Sequence, residues 1–307
     1  MIWLIIVIIA HLFYAFVFLI DKYIVSRPLP HPVVYAFYVG IMSITIWVIA
    51  PFGFYFPAVH DIVLCLLAGV AQVAGWLCFY KALNMGEVSR VVPFVGSFVA
   101  IFVLILSSLI IGERLNVQQF VAFALLVLGG LIIAYHSQKP SLFGFGRFRG
   151  KKEDLFKSFG IAFVSALFFA IFWVITKYIY LDTQFTSGTI WIRTAVALVA
   201  LLLLIPKKNR ELILKKTEKI RPGTVKIFLA GRLLGVFAAF CMYLAVFLGS
   251  VTLANSLEGL QYGFVLLFAL IFFRKIPSLK EEFGKETIFQ KFAALILIAL
   301  GLIALII

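Results

Sequence analysis

The stretch AFVFLIDKYIV at 15–25 reappears as AIFWVITKYIY at 170–180, so that Lys22–Tyr23 falls on Lys177–Tyr178, 155 residues further on. Pro51 and Pro206, each closing the next apolar run, keep the same spacing. Two later segments repeat with longer offsets. YKALNMGEVS at 80–89 answers YLAVFLGSVT at 243–252, and VQQFVAFALLVLGG at 117–130 answers FQKFAALILIALGL at 289–302. A growing offset means that loops lengthened in the second copy. The chain therefore reads as a duplicated unit, residues 1–135 and 158–307, joined by a basic connection at 136–157.

Composition decides the solvent. With 64% hydrophobic and 13% charged residues in 307, a soluble globule could not hide its apolar surface, so lipid must cover much of it. The net charge of +14 would suggest nucleic acid in a soluble chain. Here the cations sit in short loops between apolar runs, which argues membrane topology and no nucleic-acid partner. Cys65, Cys78 and Cys241 are isolated in apolar segments, and His11, His31, His60 and His136 share no ligand spacing. Neither a disulfide framework, a metal site nor a cofactor is expected. The N-terminus enters an apolar run without a basic start or a small-residue cleavage site, so a retained first helix is expected.

An apolar stretch of about 20 residues crosses a bilayer core as a helix. Such stretches fall at 2–21, 32–50, 61–80, 91–112, 117–135, 158–180, 186–205, 227–247, 251–273 and 289–306. The expected fold is all-α, with ten transmembrane helices, five per copy. Because five is odd, the copies should be inverted repeats. The connection 206–226 is expected to be a solvated loop in preference to a short amphipathic surface helix. The odd-numbered loops hold Lys22, Arg27, Lys81, Arg90, the cations of 139–157, the run from Lys207 to Lys226 and that from Arg274 to Lys291. The even loops hold little beyond Arg114 and Lys177. The positive-inside rule then places the odd loops in the cytoplasm and both termini outside it.

Ionisable groups within apolar runs are costly and mark candidate solute pathways. From helical rise, Arg193 and Glu258 both lie roughly 12 Å from the even-loop face, and Gln72 and Gln261 roughly 17 Å. Arg193 and Glu258 could therefore pair, either statically or around a solute. Asn255, Glu258 and Tyr262 share one helix face at i, i+3 and i+7, a stripe expected to line a central cavity. The candidate substrate-binding set is Arg193, Glu258, Gln72, Asn255, Gln261 and Tyr262. Lys22 and Lys177, at matching places in the two copies, are candidate gate or anion contacts, with interfacial anchoring as the plainer alternative. Arg232 is expected to snorkel to the headgroups in preference to a site role, and Trp76, Tyr80 and Tyr243 to act as interfacial anchors in preference to aromatic walls of the cavity. The GxxxG spacings Gly231–Gly235 and Gly259–Gly263 suggest a tight hairpin of the eighth and ninth helices. The first copy has Val92, Val95 and Val99 where the second has Asn255, Glu258 and Tyr262, so any site is asymmetric. No catalytic constellation is present in the sequence, and no enzyme is expected.

The segment YKALNMGEVSRVVPFVGSFVAIFVLILSSLIIGERLNVQQFVAFALLVLGGLII at 80–133, with Pro93 and GERL at 112–115, resembles the EamA repeat of the drug/metabolite transporter superfamily. The likeness runs through both copies. It implies a ten-helix inverted-repeat carrier that exports or exchanges small metabolites through a central cavity. In the second copy Phe273, Arg274 and Lys275 replace the GER turn, so Glu113 has no acidic counterpart. The resemblance also implies cytoplasmic termini, against the charge bias; the charge argument is retained because it uses this chain's own residues.

The expected function is alternating-access transport of a small organic metabolite in a bacterial or archaeal cell membrane. The expected partners are that solute and membrane lipids, and a homodimer stays open as the assembly. Two other readings stand beside it. One is a carrier or flippase for a lipid-linked or nucleotide-linked sugar, with basic loops attracting phosphate. The other is a non-transporting scaffold or receptor.

Overall fold

A computed structural model describes residues 2–24, 31–86, 88–135, 152–214, 222–272 and 285–306. Side chains are described within 2–20, 31–86, 90–133, 156–214, 230–265, 267–268, 290 and 292–306. Every regular element among these residues is helical. The helices are α1 (Ile2–Ile24), α2 (Pro32–Ile41) continued by a 3₁₀ helix (Met42–Phe52), α3 (Val59–Met85), α4 (Val88–Ile110), α5 (Val117–Tyr135), α6 (Lys152–Asp182) and α7 (Phe185–Leu202). There follow α8 (Lys207–Leu214), α9 (Pro222–Leu248), α10 (Val251–Ser256), α11 (Gly259–Phe272) and α12 (Lys285–Ile306). Seven of the described helices are long and apolar enough to cross a membrane, and Val117–Ile133 and Phe292–Ile306 are shorter apolar segments. Helices suit this setting because each satisfies its own backbone hydrogen bonds where lipid offers none.

Two expected helices are interrupted, for local chemical reasons. In the second, the Ser43 and Thr45 hydroxyls donate back to the Val39 and Met42 carbonyls, and the chain tightens into the 3₁₀ form from Met42 onward. Pro51 cannot donate a backbone hydrogen bond, and Gly53 ends the segment at φ 110°. In the ninth, Asn255 donates to the Val251 carbonyl at 2.8 Å and Ser256 to that of Leu253 at 2.8 Å. The chain then turns through Leu257–Glu258 on three-residue bonds, Glu258 N to Asn255 O (3.3 Å) and Gln261 N to Glu258 O (3.0 Å), before α11 begins. The sequence also contains the helix 207–214 where a plain loop was expected: α8 tucks Ile213 inward, and Tyr38 of α2 donates to the Ile213 carbonyl at 3.3 Å.

Packing is dominated by pairs distant in sequence. α3 lies along α6, α1 along α9, and α5 along α12. Glycines allow the closest approaches. A Cβ on Gly69 of α3 would fall 2.8 Å from the backbone of Ala195 on α7, and one on Gly40 of α2 would fall 2.4 Å from the Ala200 side chain. The two GxxxG spacings do not form the expected hairpin. Gly231 and Gly235 face Ile20 and Val17 of α1, whereas Gly259 and Gly263 face Ile298 and Leu295 of α12. Small residues create a groove, but tertiary packing selects which helix fills it.

The bundle has two distinguishable ends. At one, which we call the Glu113 end, the start of α1 meets the end of α9 (Trp3 against Gly249), the Phe52 carbonyl accepts from Thr186 (3.1 Å), and Gln118 donates to Ala304 O (2.9 Å). At the other, the Arg232 end, Arg232 of α9 reaches Tyr35 of α2, and Ser158 of α6 donates to Ala82 O of α3 at 2.8 Å.

Replacing Gly69 by alanine forces two helix backbones apart, and a loss of about 1–3 kcal/mol is expected. Gly160 has nothing within 4 Å of its Cβ position, so Gly160→Ala should be neutral or stabilising by up to about 1 kcal/mol. Thermal unfolding of the two variants in the same detergent measures the contrast.

Candidate functional site

Glu258 sits in the break between α10 and α11, the position where a buried carboxylate also has irregular backbone around it. Its Oε1 accepts from the Tyr262 hydroxyl at 3.3 Å, one turn into α11. Across from it, Gly96 of α4 leaves the space that the carboxylate occupies: a Cβ there would lie 2.5–2.7 Å from the Glu258 carboxyl atoms. Asn255, Glu258 and Tyr262 line one small cavity with Gly96, Ser97 and Gly130, between α4, α5 and the break. It has room for about one water. The expected stripe is thus brought together even though the helix that carries it is not continuous. The Asn255 amide is spent on its own helix, donating to Val251 O.

Arg193 of α7 does not line that cavity. Its guanidinium donates to the Tyr243 hydroxyl at 3.4 Å and lies 5.7 Å from the centre of the Tyr243 ring. Among the described residues no ion pair joins Arg193 to Glu258. The two charges are held apart instead of neutralising each other. Tyr14 of α1 lies within electrostatic reach of Arg193, Tyr243 and Glu258 alike.

Tyr243 is only 3% exposed and packs against Trp173, with ring centres 5.4 Å apart. It is an interior wall, which corrects the expectation of an interfacial anchor; the reason is that the face of α9 bearing it turns toward α7 and α6 rather than lipid. Arg232 likewise bonds inward to Tyr35, at 3.4 Å, rather than snorkelling, and Tyr35 packs on Tyr80 of α3 with centres 4.0 Å apart. Tyr80 therefore lines a ring pair, while Trp76 is a partly buried contact of the core.

Gln72 of α3 keeps its amide oxygen buried without a hydrogen-bond partner. Gln261 of α11 lies beside His11 of α1. His11 is 3% exposed and sits against Gln261 and the Ala254 backbone. His11 and Tyr14 were missed as site residues in the sequence, where only metal spacing was tested; their shared helix face, i and i+3 in the middle of an apolar run, is the signal that could have found them.

Lys177 of α6 donates to the carbonyls of Val246 (2.9 Å), Phe247 (3.3 Å) and Gly249 (2.8 Å). It caps the C-terminus of α9, whose last carbonyls have no partners within the helix and carry partial negative charge. Lys22 lies in the last turn of α1, and its side chain is outside the described residues, as are 136–151 and the replacement turn at Phe273, Arg274 and Lys275. Among the described residues no group of His, Cys, Asp and Glu could hold a metal ion.

Residues 1–135 match the EamA-like transporter family. A curated relative from Sinorhizobium sp., described as an uncharacterized transporter in the cobO 3' region, is 34% identical over 68 residues, which are 22% of this chain and 48% of the relative. The chain thus spans about half the length of that relative. A solved structure described only as a crystal structure of a protein superposes with a TM-score of 0.65 at 16% identity, covering 98% of this chain and 95% of that one. That likeness concerns the fold. Family and long apolar helices together make the chain a multi-pass integral membrane protein.

Gly96→Ala should push the Glu258 carboxylate aside and cost about 1–3 kcal/mol, and shortening Glu258 to alanine should relieve that clash. A double-mutant cycle of thermal or denaturant stability should therefore be non-additive, with the double variant more stable than the sum of the single losses by about 0.5–3 kcal/mol.

Proposed function

We propose that the protein is a secondary carrier that moves a small organic metabolite by alternating access, and that the solute site is built around the α10–α11 break. The observation that carries the reading is the placement of Glu258 at a helix break, bonded to Tyr262 and, among the described residues, not ion-paired with Arg193, which is held separately on Tyr243. Broken helices with a charged group at the break are how carriers place solute and coupling-ion sites within a bilayer. Arg193 takes an anionic group of the solute. Glu258 takes a proton or a cationic group. Tyr14, Gln72, Asn255, Gln261 and Tyr262 orient it by hydrogen bonds.

The architecture proposed with it is ten spans in two inverted five-helix repeats, 1–135 and 158–307, with α10 and α11 forming one span. The pairing of helices supports this: exchanging the two halves turns the α1–α9 contact into the α6–α3 contact and leaves α5–α12 and α2–α7 unchanged. Charge bias then orients the Arg232 end toward the cytoplasm and the Glu113 end outward, in a bacterial or archaeal cell membrane. Export or exchange is the direction in keeping with the family's resemblance.

Thermal unfolding of the detergent-purified protein against a metabolite library tests the reading. A true solute at about 100 times its Kd should stabilise the fold by about 2.7 kcal/mol. Purified Glu258→Gln should keep its fold and lose pH-gradient-driven uptake of that solute into liposomes. Undiminished gradient-driven flux in this variant removes Glu258 from coupling, and a library without any stabilising solute would falsify the carrier reading in favour of a scaffold.

A further inference from the structure

The GERL sequence at 112–115 closes α4 in a way that reaches across the molecule. Gly112 takes a left-handed backbone (φ 75°), and the amides of Ile111 and Glu113 both return to the Ser107 carbonyl, at 2.9 and 3.2 Å. That is a glycine-terminated helix end, and it fixes Glu113 beside the start of α10. There the Thr252 hydroxyl donates to Glu113 Oε2 at 2.8 Å and lies 2.8 Å from the Ser107 hydroxyl. Ser107 and Thr252 are both fully buried. Three to six residues before Thr252, the carbonyls of Val246, Phe247 and Gly249 at and just past the end of α9 are held by Lys177 from α6, and Lys177 is within electrostatic reach of Glu113.

These contacts fasten both sides of the turn at Gly249–Ser250, which leads through α10 directly to the Glu258 break. α10 itself is six residues long and starts from its own cap, Leu253 N to the Ser250 hydroxyl at 2.9 Å. An element so short is held mainly by what grips its ends. At the N-terminal end the grip is Thr252 and Lys177; at the other end lies the solute-site carboxylate.

We infer that the Thr252–Glu113–Ser107 cluster, together with the Lys177 cap, is a closed gate at the Glu113 end of the pathway, released when the carrier opens to that face. The inference rests on the carrier reading above. Release takes the Thr252 hydroxyl from an acidic and a hydroxyl partner and Lys177 from three carbonyls, exposing all of them to water, which replaces the lost bonds. In the dry, closed state the same groups would be costly to leave apart, so the cluster has two stable arrangements and no comfortable intermediate one. The arrangement is one-sided. The second copy carries Phe273, Arg274 and Lys275 where the first carries Gly112, Glu113 and Arg114, so the acidic partner has no counterpart there in the sequence.

The test needs no identified solute. In a chain with Cys65, Cys78 and Cys241 replaced by alanine, a reporter cysteine is placed at Ser256, beside the Glu258 cavity. Labelling by a membrane-impermeant maleimide is then followed in sealed vesicles from each face separately. Thr252→Val and Glu113→Gln should speed labelling from the Glu113 end by about ten-fold, the factor that one hydrogen bond to a charged group is worth, and slow it from the Arg232 end. This opposite change is the signature of a shifted equilibrium. An equal rise at both faces marks a loosened bundle and overturns the gate.

A second variant keeps the result clear if those two fold poorly. Ser107→Cys with Thr252→Cys places sulfurs where two hydroxyls already touch, and its disulfide should abolish labelling from the Glu113 end until reductant is added. Parent labelling from the Arg232 end, with gate variants unchanged at both faces, rejects the gate and leaves the carrier standing. A reporter that stays unreactive from both faces in every variant rejects both.

Discussion

A carboxylate inside an apolar bundle has to be given partners, and the way Glu258 is accommodated organises much of what surrounds it. Gly96 clears its space on α4, Tyr262 donates to it from one turn onward, and the helix carrying it is interrupted there. The interruption has its own cause in Asn255 and Ser256, whose side chains return to carbonyls of the preceding turn. A continuous helix would have left Glu258 with fewer neighbours and no irregular backbone beside it. The break therefore connects local hydrogen bonding to the candidate site.

Arg193 supplies the opposite charge without joining it. Pairing the two directly would have been the simplest resolution of two buried charges, and it would also have left nothing for a solute to do. Instead the guanidinium rests on the Tyr243 ring, with Tyr14 of α1 within electrostatic reach of both groups. His11, on the same face of α1, meets Gln261 from the broken helix. The interior is thus polar in several places that remain incompletely satisfied, in keeping with a binding region and poor economy for a purely structural core.

Much of the fold was legible because helices in lipid announce themselves by length and apolarity. Seven helices meet that criterion in the structure, and the duplicated Lys-Tyr segments sit in α1 and α6 as expected. The breaks at Met42 and Leu257 were not legible, since Ser, Thr and Asn are tolerated in many continuous helices and only the direction of their side chains decides. The acceptors of Lys177 were not legible for a similar reason. The sequence placed it near a helix end as a gate contact or an anchor, but not against another helix's carbonyls.

By itself the sequence determined the helical class and its membrane-spanning apolarity, and it singled out polar residues costly to bury: Arg193, Glu258, Gln72, Asn255, Gln261 and Tyr262. Those follow from composition and from periodicity along one chain. Tertiary structure alone decided that α9 packs on α1 and α11 on α12, that Tyr243 and Arg232 turn inward, and that Glu113 grips Thr252 across 139 positions of sequence. The physical reason is that a helix exposes several usable faces to its neighbours. Which face is buried depends on the shapes of partners far away in the chain, and no local pattern encodes them.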